Sequence, residues 1–267
     1  TTMSFSENSP AQFCGIPLES DPTIFTDLMH ALCGVRSHPL TCVDLLSLDP
    51  DDLVPGGPLA LPGKLRGIIL VYNTNPAYES SIDYEREKAR DAGRGYAGRG
   101  SDEPMLWVEQ IVPHACGFFA LMHIVSNLSR LGVDSPYIDP DSPMGKFIAS
   151  ALPMSPPDRA SFLESFSPIA ALYNDCAPLG TSQVLHADDV VPGHYAAFIP
   201  SQLDGHIYEM DGGKNGPVDH DEWLDGERDI LIGGTRVVKE IVKNHLDPEN
   251  AHFHALAVVE MESRREQ

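Results

Sequence analysis

Phe25, Leu28, Met29 and Leu32 recur at helical spacing, with Asp21-Pro22 ahead of them as cap and first turn and Gly34 behind them as a stop. This predicts a surface helix with one buried face. A different pattern follows the Pro/Gly-rich stretch from Pro55 to Gly63. Gly67-Ile-Ile-Leu-Val-Tyr72 is a continuous apolar run rich in β-branched residues, the mark of a strand covered on both faces. Ser80 to Asp91 reads as a charged helix, and residues 92–101, with four glycines, as an uncommitted and therefore mobile loop. From Cys116 to Ser129 the positions are apolar almost all round, which predicts a helix buried in the middle of the domain with the cysteine at its N-terminus.

Ser155-Pro-Pro-Asp opens a further helix expected to reach about Ala171, and residues 172–192 form a polar connection of a length that usually carries function. Tyr195-Ala-Ala-Phe-Ile and His206-Ile-Tyr-Glu-Met flank a turn at Leu203-Asp204-Gly205, the pattern of an antiparallel hairpin. Val237 to Leu246 reads as a helix and His252 to Glu260 as a closing strand. Strands separated by helices, with one hairpin, predict a mixed α/β (α+β) domain around a mainly antiparallel sheet. No internal repeat is visible, and one domain over residues 1–267 is expected.

Charge changes the picture of the partner. Eighteen Lys and Arg against 39 Asp and Glu give a formal net charge of -21, which repels nucleic acid and anionic membrane and attracts a cationic polypeptide. The two Arg-Gly pairs in 92–101 are too short a signal, in so acidic a chain, to outweigh that. No stretch approaches the roughly 18–20 apolar residues of a membrane span, and the first residues lack a basic-then-apolar leader, so an intracellular, cytoplasmic protein, also compatible with the nucleus, is expected. Cysteines at 14, 33, 42, 116 and 176 are odd in number and have no zinc-ligand spacing, which suits a reduced compartment.

Most motif templates fail. Gly57 to Lys64 has the wrong glycine spacing for a phosphate loop, with Leu65 where a hydroxyl must stand. Asn127-Leu-Ser129 fits a glycosylation pattern but lies on the buried helix. Eleven histidines include no HExxH or ligand-spaced cluster, so no metal is expected.

Cys116 differs, because unpaired N–H groups and the dipole at a helix start favour a thiolate. Alone it would read as a small buried apolar residue, so a base must be found. With the hairpin turn centred near residue 203, cross-strand partners have numbers summing to about 405 or 406, and His194 and Asp211 meet that condition. Asp211 would then fix the tautomer of His194. Gln110, six residues before Cys116, offers an amide N–H to an oxyanion. Together these four are the set that acyl transfer through a thiolate requires.

The same residues carry a resemblance. Gln110-Ile-Val-Pro-His-Ala-Cys-Gly117, continuing through Leu121, His123 and Asn127, resembles the nucleophile signature of the ubiquitin carboxyl-terminal hydrolases. Gly193-His194-Tyr195 and Asp204-Gly-His-Ile-Tyr-Glu-Met-Asp-Gly212 are similar to that family's histidine and aspartate strands. Further likeness runs through Pro17-Leu18-Glu19, Val43-Asp44, Leu48-Asp49-Pro50, Met154-Ser-Pro with Arg159, and Phe253-His-Ala-Leu.

The resemblance implies a papain-like catalytic domain with a six-stranded, mainly antiparallel sheet between helices on both faces, and a knotted backbone. Residues 172–192 would be the crossover loop under which a leaving group threads, and a short form without the recruiting tail of larger members is expected. It also implies a cofactor-free, monomeric thiol hydrolase acting on adducts of the C-terminal glycine of ubiquitin, whose tail is basic. Leu18, Glu19 and Asp44 would approach ubiquitin.

His114 stands where the family usually has asparagine, and Phe118 where it has a small residue, so altered loop geometry or substrate preference is expected, and not loss of activity. The alternatives are a hydrolase for a ubiquitin-like modifier, a weakly catalytic ubiquitin-binding protein, and a general papain-like peptidase.

Overall fold

The computed structural model describes residues 12–73, 76–93, 95–128, 135–180, 193–221, 226–245 and 253–261. In chain order the elements are α1 (Pro22–Cys33), β1 (Leu40–Asp44), α2 (Pro50–Leu53), β2 (Lys64–Asn73), α3 (Pro76–Asp91), α4 (Cys116–Leu128), α5 (Pro143–Ala151), α6 (Pro156–Ser165), α7 (Ser167–Cys176), β3 (Gly193–Pro200), β4 (Ile207–Met210), β5 (Val218–Asp219), α8 (Thr235–His245) and β6 (Phe253–Glu260). Among the described residues no helix is long and apolar enough to cross a membrane.

The six strands form one sheet in the order β1-β6-β2-β3-β4-β5, every neighbouring pair antiparallel. The apolar run at 67–72 is its centre, because β2 is paired on both edges and buried on both faces. On one face Ile69, Ala197, Leu256 and Val258 pack against α1, α4, α5 and α7. On the other, Ile68, Phe198, Ala257 and Val259 pack against Leu53 of α2, Ile230 of a π-helical turn and Val237 and Ile241 of α8. Helices therefore cover both faces, as expected. α4 can close on the sheet because Gly67 has no side chain: a Cβ there would stand 2.9 Å from Ile124 Cδ1.

Local chemistry sets the ends. Asp21 accepts from the Thr23 and Ile24 amides to start α1, and Gly34, at φ 70°, stops it. The helix expected from Ser155 to Ala171 is in fact two, α6 and α7, broken at Phe166 (φ -84°, ψ 83°). Pro168 explains the break, since it lacks an N–H and its ring clashes with a continuing helix. α7 then extends to Cys176 and a 3₁₀ turn to Leu179, so the connection expected from 172 begins only at 180. Residues 181–192, the greater part of the expected crossover loop, lie outside the described residues.

Among its described residues the glycine-rich segment 92–101 has no helix or strand beyond the end of α3, yet it is fastened at Tyr96 and at Gly100. The Tyr96 amide donates to Asn215 O at 3.1 Å and its hydroxyl to Met105 O at 3.0 Å, while the Gly100 amide donates to Leu152 O at 2.7 Å. One aromatic ring among small residues does the fastening, packed edge-on against Trp107.

Candidate active site

α4 begins at Cys116, and every residue from Gly117 to Asn127 is buried. Gly117 lets the first turn come close to its surroundings, since a Cβ there would touch Leu18, Phe25 and Tyr195 at 3.4 Å each. Cys116 itself is half-buried, and all five cysteines are free. The approach to it contains His114 at φ 58°, the single non-glycine residue in the left-handed region among those described. Asparagine, aspartate and histidine tolerate that region best among side-chain-bearing residues, which gives the His114 departure a backbone reason.

The segment leading to Gln110 is clamped to α4 from one face. Asn127 Oδ1 accepts from the Leu106 amide at 2.7 Å and its Nδ2 donates to Leu106 O at 3.0 Å. One turn earlier His123 Nε2 accepts from the Val108 amide at 3.1 Å. Burial pushes His123 down to about 4, so it is neutral and suited to that acceptor role.

Asp211 stands just past β4 and is 2% exposed, whereas His194, in β3, keeps 23% of its side chain exposed. His194 Nε2 lies 2.8 Å from Asp211 Oδ2. Burial disfavours charge on both groups, but mutual attraction wins: Asp211 falls to about 2, and Asp211 followed by Cys116 lifts His194 well above the ordinary imidazole value. Cys116 lies near enough to His194 to be one of the groups that raise it. Asp211 is further fixed by the Gly213 amide on Oδ1 (2.7 Å), and its carbonyl accepts from Trp107 Nε1 (3.0 Å).

Gln110 comes into this group through its backbone. Its amide donates to Gly212 O at 2.9 Å, and a Cβ on Gly212 would come 2.7 Å from Gln110 Cβ. Glycine is therefore required beside Asp211. Of the two side-chain N–H donors of Gln110, one is committed to Val112 O at 3.1 Å. The fold thus brings Gln110, Cys116, His194 and Asp211 into one place from four separate stretches of chain.

The three residues expected to meet ubiquitin are not equivalent. Leu18 is 2% exposed, wedged on Gly117, with its carbonyl accepting from Tyr195 Oη at 2.9 Å, so its side chain offers nothing to a partner in this conformation. Its apolar character belongs to the core. Glu19 is partly exposed and packs on Gly180, at the start of the undescribed segment. Asp44 is exposed at the end of β1 and pairs with His254 Nε2 at 2.9 Å.

The roles of several supporting residues escaped the sequence reading, which met Arg159 and Glu209 only as points of family likeness. Trp107 carries no motif signal that separates it from an ordinary core aromatic. Arg159 and Glu103 form a fully buried pair, 2.6 Å apart, from which Arg159 also donates to Trp107 O. A buried arginine cannot be told from a solvent-facing one by composition alone. Glu209, Lys214 and His220 form another group beside Asp211.

A thiol at a helix start, an imidazole near it and a buried carboxylate bonded to that imidazole make the arrangement of a cysteine hydrolase. The sequence model of ubiquitin carboxyl-terminal hydrolases, family 1, matches residues 16–246, and this chain belongs to that family. It is 25% identical to a ubiquitin carboxyl-terminal hydrolase of Drosophila melanogaster over 242 residues, covering 91% of this chain and 96% of the relative. It is 27% identical to one of Aplysia californica over 207 residues, covering 77% and 85%. In fold it is similar to the catalytic domain of Trichinella spiralis UCH37 solved with ubiquitin vinyl methyl ester, with a TM-score of 0.61, 21% identity, and coverage of 94% of this chain and 97% of that one.

Proposed function

We propose that this protein hydrolyses adducts at the C-terminal glycine of ubiquitin through a thioester on Cys116. The observation that carries the reading is His194 held by the buried Asp211 at 2.8 Å, with the Cys116 thiol at the start of α4 close enough to act on the imidazole. His194 takes the Cys116 proton as the sulfur attacks the glycine carbonyl. Asp211 holds the imidazole in place and stabilises its cation. The carbonyl oxygen, now negative, is received by the Gln110 side chain and the Cys116 backbone N–H. When the tetrahedral centre collapses, the C–N bond breaks and His194 gives its proton to the leaving amine. A water molecule, deprotonated by the same histidine, then cleaves the thioester and restores the thiol.

The net charge of -21 favours ubiquitin's basic tail as the segment drawn into the cleft. Glu19 and Asp44 are the residues of this set whose side chains stand where a partner could touch them. As the family likeness implies, small or flexible leaving groups are the substrates of choice, and the chain works as a monomer.

The deciding experiment is hydrolysis of a C-terminal fluorogenic ubiquitin adduct by the wild type and by Cys116→Ala. Turnover by the wild type that is lost in the variant, with ubiquitin binding retained, is expected. Binding by the wild type without turnover would replace the reading with a ubiquitin-holding protein. Turnover of a ubiquitin-like modifier in preference to ubiquitin would move the substrate and keep the chemistry.

A further inference from the structure

Asp211 is not the only buried carboxylate on its strand. Glu209 and Asp211 lie two residues apart, so both side chains leave the chain on the same face, and they are 4% and 2% exposed. Two carboxylates so placed cannot both stay ionised unless cations stand by them. His194 serves Asp211. For Glu209 the partner is Lys214, whose amide closes the turn onto Asp211 O at 3.2 Å and whose Nζ then reaches Glu209 Oε1 at 2.5 Å. His220 Nε2 stands 3.2 Å from the other oxygen of Glu209. Lys214 is thus paired with Glu209, tied through its backbone to Asp211, and near enough to Asp211 to act on its charge.

We propose that Lys214, anchored by Glu209, is a positioning residue that neutralises this pair of buried acids and sets the pH range in which Cys116 and His194 exchange their proton. The proposal rests on Cys116, His194 and Asp211 being the reacting set. Burial opposes charge on Glu209, and Lys214 is the largest influence that overcomes it; Lys214 also helps hold Asp211 low, after His194. His220 shares in holding Glu209 low, and further charged groups lie nearby. Arg86 and Glu109, which line a cavity with Lys214, are paired with each other at 2.6 Å. Glu85 lines the neighbouring cleft, where Lys214 is again a wall. From β2 the Tyr72 ring meets His194 edge-on, and from α4 comes the neutral His123.

The test is the pH dependence of kcat/KM on the fluorogenic ubiquitin adduct for Lys214→Met, Glu209→Gln, the double variant and Lys214→Arg. Loss of a cation raises the pKa of every nearby acid, so Lys214→Met should move both limbs of the profile to higher pH, by about half to one unit for a partly exposed charge. Glu209→Gln leaves the lysine unbalanced and should move them to lower pH. The double variant should return towards the wild type, and Lys214→Arg should keep its position. A purely structural role would lower the height of the profile without displacing it. That result, or single variants that move in the same direction, would overturn the proposal. Absence of turnover in the wild type would instead overturn the hydrolase reading itself.

Discussion

His194 and Asp211 meet on a diagonal and not as direct cross-strand partners. Met210 is opposite Ala197 and Pro200 opposite Ile207, so the residue facing Asp211 as the register continues is Ala196, and His194 lies two further along the same face. The six residues from Ser201 to His206 close the turn, with Gly205 at φ 77°, which places its centre later than 203 and displaces the register. Because the displacement from direct pairing is two residues, both side chains stay on one face and the longer diagonal is bridged by the imidazole.

Asp211→Asn should keep this geometry and lose the charge. An activity loss on the order of 10²- to 10⁴-fold is expected, since the amide can hold the imidazole in the wrong tautomer. The measurement is kcat on the fluorogenic adduct, and a loss below threefold would remove Asp211 from the mechanism.

The same pair fixes a pH dependence of stability. The Asp211 pKa is depressed to about 2, so its contribution is present above the ordinary aspartate value and is lost as pH falls towards 2. The His194 pKa is raised, so its contribution is complete below about 6.5 and is lost as pH rises through the folded value. The melting-temperature difference between wild type and Asp211→Asn should thus be greatest between about pH 4 and 6.5 and shrink at alkaline pH. A difference that grows from pH 6 to 9 would contradict the assignment.

How much of this was legible depends on how local each feature is. α1, α4 and the central strand announce themselves because cap, period and apolar run lie within one stretch. β1 does not: it is five residues long with Thr41 and Asp44 among them, and becomes a strand by pairing with β6, more than two hundred residues away. Cys116, His194 and Asp211 could be assembled by counting, with a register error that left the face intact. Leu18 could not be placed, since apolar residues serve cores and partner surfaces alike. Gly212 and Trp107 matter through contacts formed only in the folded chain: the motif likeness includes Gly212 without giving its reason, and no pattern marks Trp107.

His114 offers a test of backbone against side chain. Left-handed geometry costs a residue with a Cβ roughly 1–2 kcal/mol, and more when it is β-branched. His114→Gly should therefore fold at least as stably as the wild type and retain turnover, while His114→Val should lower both melting temperature and kcat. If glycine and valine reduced activity equally, the imidazole itself would be the required feature.

Arg159 is the buried charge whose removal should cost most. Arg159→Met strands Glu103 without its cation and should destabilise by about 3–5 kcal/mol in denaturant unfolding. Arg159→Met with Glu103→Gln should recover part of that loss, because no unpaired charge remains. A double variant as unstable as the single one would mean that the carbonyl partners of Arg159, at Ala151, Leu152 and Trp107, dominate over the ion pair.

Gly212 makes the sharpest demand on the site. A methyl group there would sit 2.7 Å from Gln110 Cβ, 3.1 Å from its amide nitrogen and 3.3 Å from the Phe119 ring. Two of those three atoms belong to the residue proposed to hold the oxyanion, so relief of the clash must push Gln110 away and break its 2.9 Å backbone bond to Gly212. Gly212→Ala should therefore lower kcat by more than its loss of stability explains. Gly95→Ala, where nothing lies within 4 Å of the added carbon, is the control and should change neither. Because the displacement acts on the oxyanion site and not on ubiquitin contacts, KM should move little; a rise in KM at unchanged kcat would show that Gln110 serves binding instead.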